Sequence, residues 1–185
     1  RSYGIHHCLN IVTDKDINIE TDEDLTFAPG QTSGSLKITG DFDVVATTSN
    51  DTITVSGNIL GVDESTSTDD VTIVAGASTG TDGGTIVLGG TVGTEIEKVT
   101  LTAANSISLG GNITTADAAS NNVDINGPAI LTANVQIKTD ANNGSIDFST
   151  TINNDTSGNG PYNLTLDTNA GAIGVNTTGS ISLAS

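Results

Sequence analysis

The sequence predicts an all-β protein, a parallel β-helix or β-solenoid with short strands and Asn/Asp/Gly/Thr-rich turns. Three observations carry this. First, apolar residues recur as pairs two apart, clearest from Asn122 onward: Val123/Ile125, Val135/Ile137, Ile146/Phe148, Leu164/Leu166, Ile173/Val175 and Ile181/Leu183. That spacing puts both members on one side of an extended strand. Second, the stretches between pairs are mostly Asn, Asp, Gly, Ser and Thr. Gly and Asn accept positive φ, and Asp, Ser and Thr bond their own backbone, so these are turns. Third, strand phrases return at an interval inside the 20–50-residue range of repeat architectures.

Taken in order, residues 1–16 are the least regular. His6, His7 and Cys8 are adjacent there, and neighbours on an extended strand face opposite sides, so they do not converge on one ion. A lone cysteine allows no internal disulfide. Residues 1–34 read as an N-terminal arm or first irregular strands, with alternation starting at Ile17/Ile19 and Leu25/Phe27, and residues 35–185 as the solenoid repeat region.

One phrase, apolar–x–apolar–x–x–x–apolar, occurs at 36–42, 53–59, 86–92, 107–113 and 146–152, and begins again at 181. A second strand type, VTI at 71–73, VTL at 99–101, VQI at 135–137 and LTL at 164–166, is read as alternating with it. Its steps are 28 residues (Val71 to Val99), 36 (Val99 to Val135) and 29 (Val135 to Leu164). Coils with turns of varying length tolerate such drift. No window keeps a helical period free of Gly, Thr or Asn. Pro29, Pro128 and Pro161 each sit beside Gly as turn punctuation. A sandwich of antiparallel hairpins is the other all-β possibility, but it calls for tight turns and bulkier core residues. Aromatics are 3% of this chain, without Trp or Met. A thin core of Val, Ile, Leu and Ala suffices only when strands pack on copies above and below.

The formal charge of −17, from 22 acidic and five basic residues, argues against nucleic acid and anionic lipid, which need clustered Lys and Arg. No apolar run approaches a membrane span. The composition fits an extracellular or cell-surface location. Exposed coil ends need caps or neighbours, so copies of the chain, or the rest of a larger surface protein, are the expected partners.

Residues 127–175 resemble the β-strand-repeat arrays of large bacterial secreted adhesins, the filamentous-haemagglutinin-like proteins. The resemblance rests on Gly127, Pro128, Leu131, Thr132, Asn134, Val135, Ile137, Thr139, Asp140, Ile146, Phe148, Ile152, Asp155, Thr156, Leu164 and Leu166 in that order. It implies a right-handed β-helical shaft, surface display and a mechanical or adhesive role. Host or surface glycans are a further partner class to expect. The Asn-Pro-Asn-Gly secretion motif of that group is absent from this sequence.

No catalytic, cofactor or metal residues are assigned. Both His lie near the N-terminus with no Ser-centred elbow, and Arg1 is the only arginine. The Asp-rich turns at 13–16, 21–24, 62–70 and 78–84 offer oxygen ligands for Ca²⁺, but no EF-hand loop or calcium nonapeptide accompanies them. Solvated turns are the plainer reading. Asn-x-Ser/Thr sequons start at Asn50, Asn112, Asn143, Asn154, Asn163 and Asn176. Threonine runs at 52–54 and 100–102 are not repeated at one register, so an ice-binding face is not expected. The expected function is therefore a non-enzymatic structural one: an acidic shaft, filament subunit or adhesin segment that self-associates. A carbohydrate-binding or carbohydrate-cleaving β-helix domain is the alternative.

Overall fold

A computed structural model describes residues 17–21, 25–27, 35–38, 40–61, 69–76, 83–93, 95–115, 122–139, 144–157, 160–168, 171–175 and 181–182. They form twenty short strands and no helix. The first two coils hold β1 (Ile17–Thr21), β2 (Leu25–Phe27), β3 (Ser35–Ile38), β4 (Phe42–Ala46), β5 (Thr52–Val55) and β6 (Asn58–Gly61). The next two hold β7 (Asp69–Ala75), β8 (Thr85–Leu88), β9 (Val92–Gly93), β10 (Ile96–Ala103), β11 (Ser106–Leu109) and β12 (Ile113–Thr115). Then follow β13 (Val123–Asn126), β14 (Ala129–Leu131), β15 (Val135–Thr139), β16 (Ile146–Phe148), β17 (Ile152–Asn154), β18 (Leu164–Asp167), β19 (Ile173–Val175) and β20 (Ile181–Ser182).

Every third strand joins the same sheet. The first sheet runs β1-β4-β7-β10-β13-β16-β19, the second β2-β5-β8-β11-β14-β17-β20, and the third β3-β6-β9-β12-β15-β18. All pairings between neighbours are parallel. The chain thus winds as a three-sided parallel β-solenoid, and the antiparallel sandwich is ruled out. β1 and β2, within the 1–34 segment, already pair in register with β4 and β5.

Like residues stack because the register preserves the alternation. In the first sheet Phe42, Val71, Val99, Val123 and Ile146 share one column, and Val44, Ile73, Leu101, Ile125 and Phe148 the next. In the second, Ile53, Ile86, Ile107, Ala129 and Ile152 align. All of these are buried at 1% exposure or less. Their alternation with half-buried residues, as in the BiBiBiB pattern of β7, leaves one face of each strand to solvent.

The recurring apolar phrase proves to be a strand, a tight corner and the start of the next strand, and it serves all three corners. At 53–59, 86–92 and 107–113 it joins the second sheet to the third, at 36–42 the third to the first, and at 146–152 the first to the second. The supposed second strand type divides between two sheets. VTI and VTL lie in the first, whereas VQI and LTL lie in the third. The 36-residue step from Val99 to Val135 therefore crosses from one face to another and is no coil length. Register partners put a coil at 21 residues (Ile86 to Ile107) up to 33 (Ile53 to Ile86).

Corners stack as closely as strands do. The second sheet's ladder continues past its strands through Gly89 N–H to Val55 O, Gly110 N–H to Leu88 O, Thr132 N–H to Leu109 O and Asp155 N–H to Leu131 O, at 2.7–3.0 Å. At the same corner a Cβ on Gly111 would lie 2.3 Å from the Gly90 carbonyl oxygen, and one on Gly90 would lie 2.3 Å from that of Gly57. Only glycine lets these backbones approach so closely.

Candidate functional site

Among the described residues the interior is a mainly apolar column, with Thr115, Thr139 and Thr168 as buried hydroxyls, and polar groups meet solvent on the outward faces and corners. Corner polar groups are organised by a rule the sequence reading missed. Five Asn or Asp residues stand immediately before the first buried residue of a strand: Asp41, Asn58, Asn112, Asn122 and Asn134. Each accepts, through its side-chain oxygen, the backbone N–H one coil further on. The donors are Asp70 at 2.9 Å, Thr91 at 2.9 Å, Gln136 at 2.8 Å, Ser145 at 3.0 Å and Asn163 at 2.9 Å, respectively. The oxygen does the work of a ladder carbonyl where the chain turns. The available signal was Asx directly before a β-branched or aromatic residue at each corner.

The three outer faces differ in charge. The first sheet presents Asp43, Asp70, Asp124 and Asp147, with Glu97 at an irregularity in β10. Lys98 lies 3.5 Å from Asp124. The second sheet turns out Thr52, Thr54, Thr85, Ser106 and Ser108, with Val87, Ile130 and Asn153 on the same face, all without charge. In the third, register aligns Ser35, Asn58, Thr91, Asn112, Gln136 and Thr165 in one uncharged polar column, beside Lys37, Lys138 and Asp167.

Asp70 is the most perturbed acid. Burial pushes its carboxyl up to about 6, Asp41, Glu97 and Asp43 push the same way, and Lys98 opposes them. Its Oδ1 is buried and has no hydrogen-bond partner among the described residues. Asp155 goes the other way. The Ser157 hydroxyl and N–H both donate to it and hold its carboxyl below the usual carboxylate range.

Among the described residues no three His, Cys, Asp or Glu side chains are grouped to hold a metal. His6, His7 and Cys8 lie outside the described residues, as do 13–16, 22–24, 62–68 and 78–82 of the Asp-rich turns. Of the sequon asparagines, Asn50, Asn112 and Asn163 are exposed, and Asn50 sits at φ 66°. Asn154 is half-buried. Its Oδ1 accepts the Tyr162 N–H at 2.7 Å while its Nδ2 is enclosed, so it is no acceptor for a glycan in the folded state. Asn143 and Asn176 fall outside the described residues.

A shallow groove of about 460 Å³ opens on the third sheet, lined by Asn112, Asn134, Val135, Gln136, Asn163 and Thr165. No described helix is long and apolar enough to cross a membrane.

The class these features define is a parallel β-solenoid whose described residues form one acidic face, one uncharged face and one polar face carrying Lys37, Lys138 and Asp167. Comparison with protein-family models, curated proteins and solved structures finds no match to this chain.

Proposed function

We propose that this chain is a structural, non-enzymatic protein of the cell surface or extracellular space, a shaft, filament subunit or adhesin segment that associates with copies of itself or with the rest of a larger surface protein. The observation that carries this reading is the in-register stacking of apolar columns from coil to coil, with Asx side chains bridging neighbouring coils at five corner positions. Stacks of this kind act by length and by contacts at ends and sides. Among the described residues Ile173 is 46% exposed, and Tyr162, Leu164 and Leu166 are only partly covered, apolar surface that a further copy or a further coil would bury. The resemblance of residues 127–175 to secreted adhesin repeats supports the same role.

Negative-stain microscopy and sedimentation test it together. Rods that lengthen or bundle with rising protein concentration are expected. Particles that stay single and monodisperse at high concentration, in low and in physiological salt, overturn the self-associating role.

A further inference from the structure

Beyond any role as a shaft, we infer that the groove on the third sheet binds a neutral polyhydroxylated chain, an oligosaccharide laid along the solenoid axis. The uncharged column of Ser35, Asn58, Thr91, Asn112, Gln136 and Thr165 runs through six successive coils. With strands about 4.8 Å apart, it spans about 24 Å. The shallow 460 Å³ groove lies where Asn134 and Asn163 flank this column. The polar lining residues of that groove, Asn112, Asn134, Gln136, Asn163 and Thr165, are all exposed.

The donor chemistry follows from the corner rule. Asn112 and Asn134 use Oδ1 to accept Gln136 N–H and Asn163 N–H, which leaves their Nδ2 groups as donors at the groove. Gln136 and Thr165 add groups that both donate and accept. Sugar hydroxyls also donate and accept, so they match this mixture, whereas a purely anionic ligand would leave the amide and hydroxyl acceptors unmatched.

Charge favours the same ligand. The chain carries −17 overall, and the first sheet's acidic face repels polyanions. The third sheet's outer face carries a single acid, Asp167, among its described strand residues, with Lys37 and Lys138 beside the column. A neutral chain therefore meets no net repulsion there. The groove's lining has no aromatic platform, so each sugar unit is held weakly, and affinity grows with the number of coils a chain spans.

The test is amide NMR of the whole chain titrated with hexasaccharides of glucose, of N-acetylglucosamine and of galacturonate at millimolar concentration. Saturable shifts confined to the side-chain amides of Asn112, Asn134, Gln136 and Asn163, with a neutral hexasaccharide, are expected. Gln136→Ala should raise the dissociation constant about fivefold, the effect of one hydrogen bond. Its melting temperature should stay unchanged, because the corner bond uses the backbone N–H of residue 136. Thr165→Ala should weaken binding similarly. The inference is overturned by an absence of shifts, by shifts spread equally over the second sheet, by tighter binding of galacturonate, or by a Gln136→Ala variant that binds as well as the parent. Those results leave the shaft reading untouched, since it is judged by assembly alone.

Discussion

The Asn58 carboxamide oxygen accepts two hydrogen bonds from Thr91, one coil later: the backbone N–H at 2.9 Å and the hydroxyl at 3.0 Å. The same Asn58 donates through Nδ2 to Ser35 Oγ at 3.4 Å, one coil earlier. A single side chain thus ties three coils together at one corner. Asn58→Ala should cost about 1–2 kcal/mol, the range for a lost bond that leaves a partly buried N–H unpaired. Urea unfolding measures it, with exposed Gln136→Ala as a control expected to stay within about 0.5 kcal/mol of the parent. Equal stability of Asn58→Ala and the parent would mean the bridge only follows the stacking and does not support it.

Phe148 is the bulkiest residue in its column and is 1% exposed, stacked on Ile125. Phe148→Ala should destabilise by about 3–5 kcal/mol, combining lost burial with the cavity left behind. A thin core offers few neighbours able to collapse into that space. Leu164→Ala, at a partly covered position on the last described coil of its sheet, should cost clearly less in the same urea series.

At the corner where Gly111 lies over Gly90, space is the controlling factor. A Cβ at Gly111 would stand 2.3 Å from backbone oxygen and 2.4 Å from backbone carbon of Gly90, and no flexible side chain is there to move away. Gly111→Ala should therefore cost about 1–3 kcal/mol by overpacking. Gly93→Ala, whose Cβ would approach Thr114 atoms at 3.3–3.4 Å, should be milder. Melting temperatures of the two variants decide this.

Asp70 makes stability depend on pH. Its carboxyl titrates near 6 in the folded chain against 3.8 in the reference state. The folded state then holds the extra proton between those values. Asp70 contributes no penalty below about pH 4, and its favourable protonation is lost as pH rises through about 6. At neutral pH the ionised, half-buried carboxylate opposes folding. A shift of about two units corresponds to roughly 3 kcal/mol by linkage, but solvent screening of a partly exposed group reduces this to about 1 kcal/mol. Asp70→Asn should accordingly raise stability near pH 7 by about that amount and bring no gain near pH 4. Denaturation of both proteins across pH 4–8 measures the difference, and parallel curves would refute the account.

The parts legible in the sequence were those with local causes. Val123/Ile125 and Ile146/Phe148 marked core columns because side-chain alternation on a strand needs no knowledge of the partner. Parallel coils followed from small apolar pairs, polar turns and a drifting period. The candidate groove was not legible. Asn112, Gln136 and Thr165 are 24 and 29 residues apart in sequence, and nothing local marks them as neighbours. Asn154 likewise occupies the column of Leu131 and Leu109, where alternation alone cannot say why a polar residue stands there. Its bond to Tyr162 N–H, which pins the returning loop, is the reason.

The sequence by itself determined which residues turn inward, where the chain bends, and that the molecule is acidic, because alternation, turn chemistry and charge are properties of short stretches. Only the tertiary structure decided that there are three sheets, which strand lies over which, and that Asp43, Asp70, Asp124 and Asp147 share one face while Asn112 and Gln136 share another. The same apolar phrase is compatible with any of the three corners. The assignment comes from stacking, in which each coil accepts the register that covers the apolar column and satisfies the N–H groups of the coil beside it.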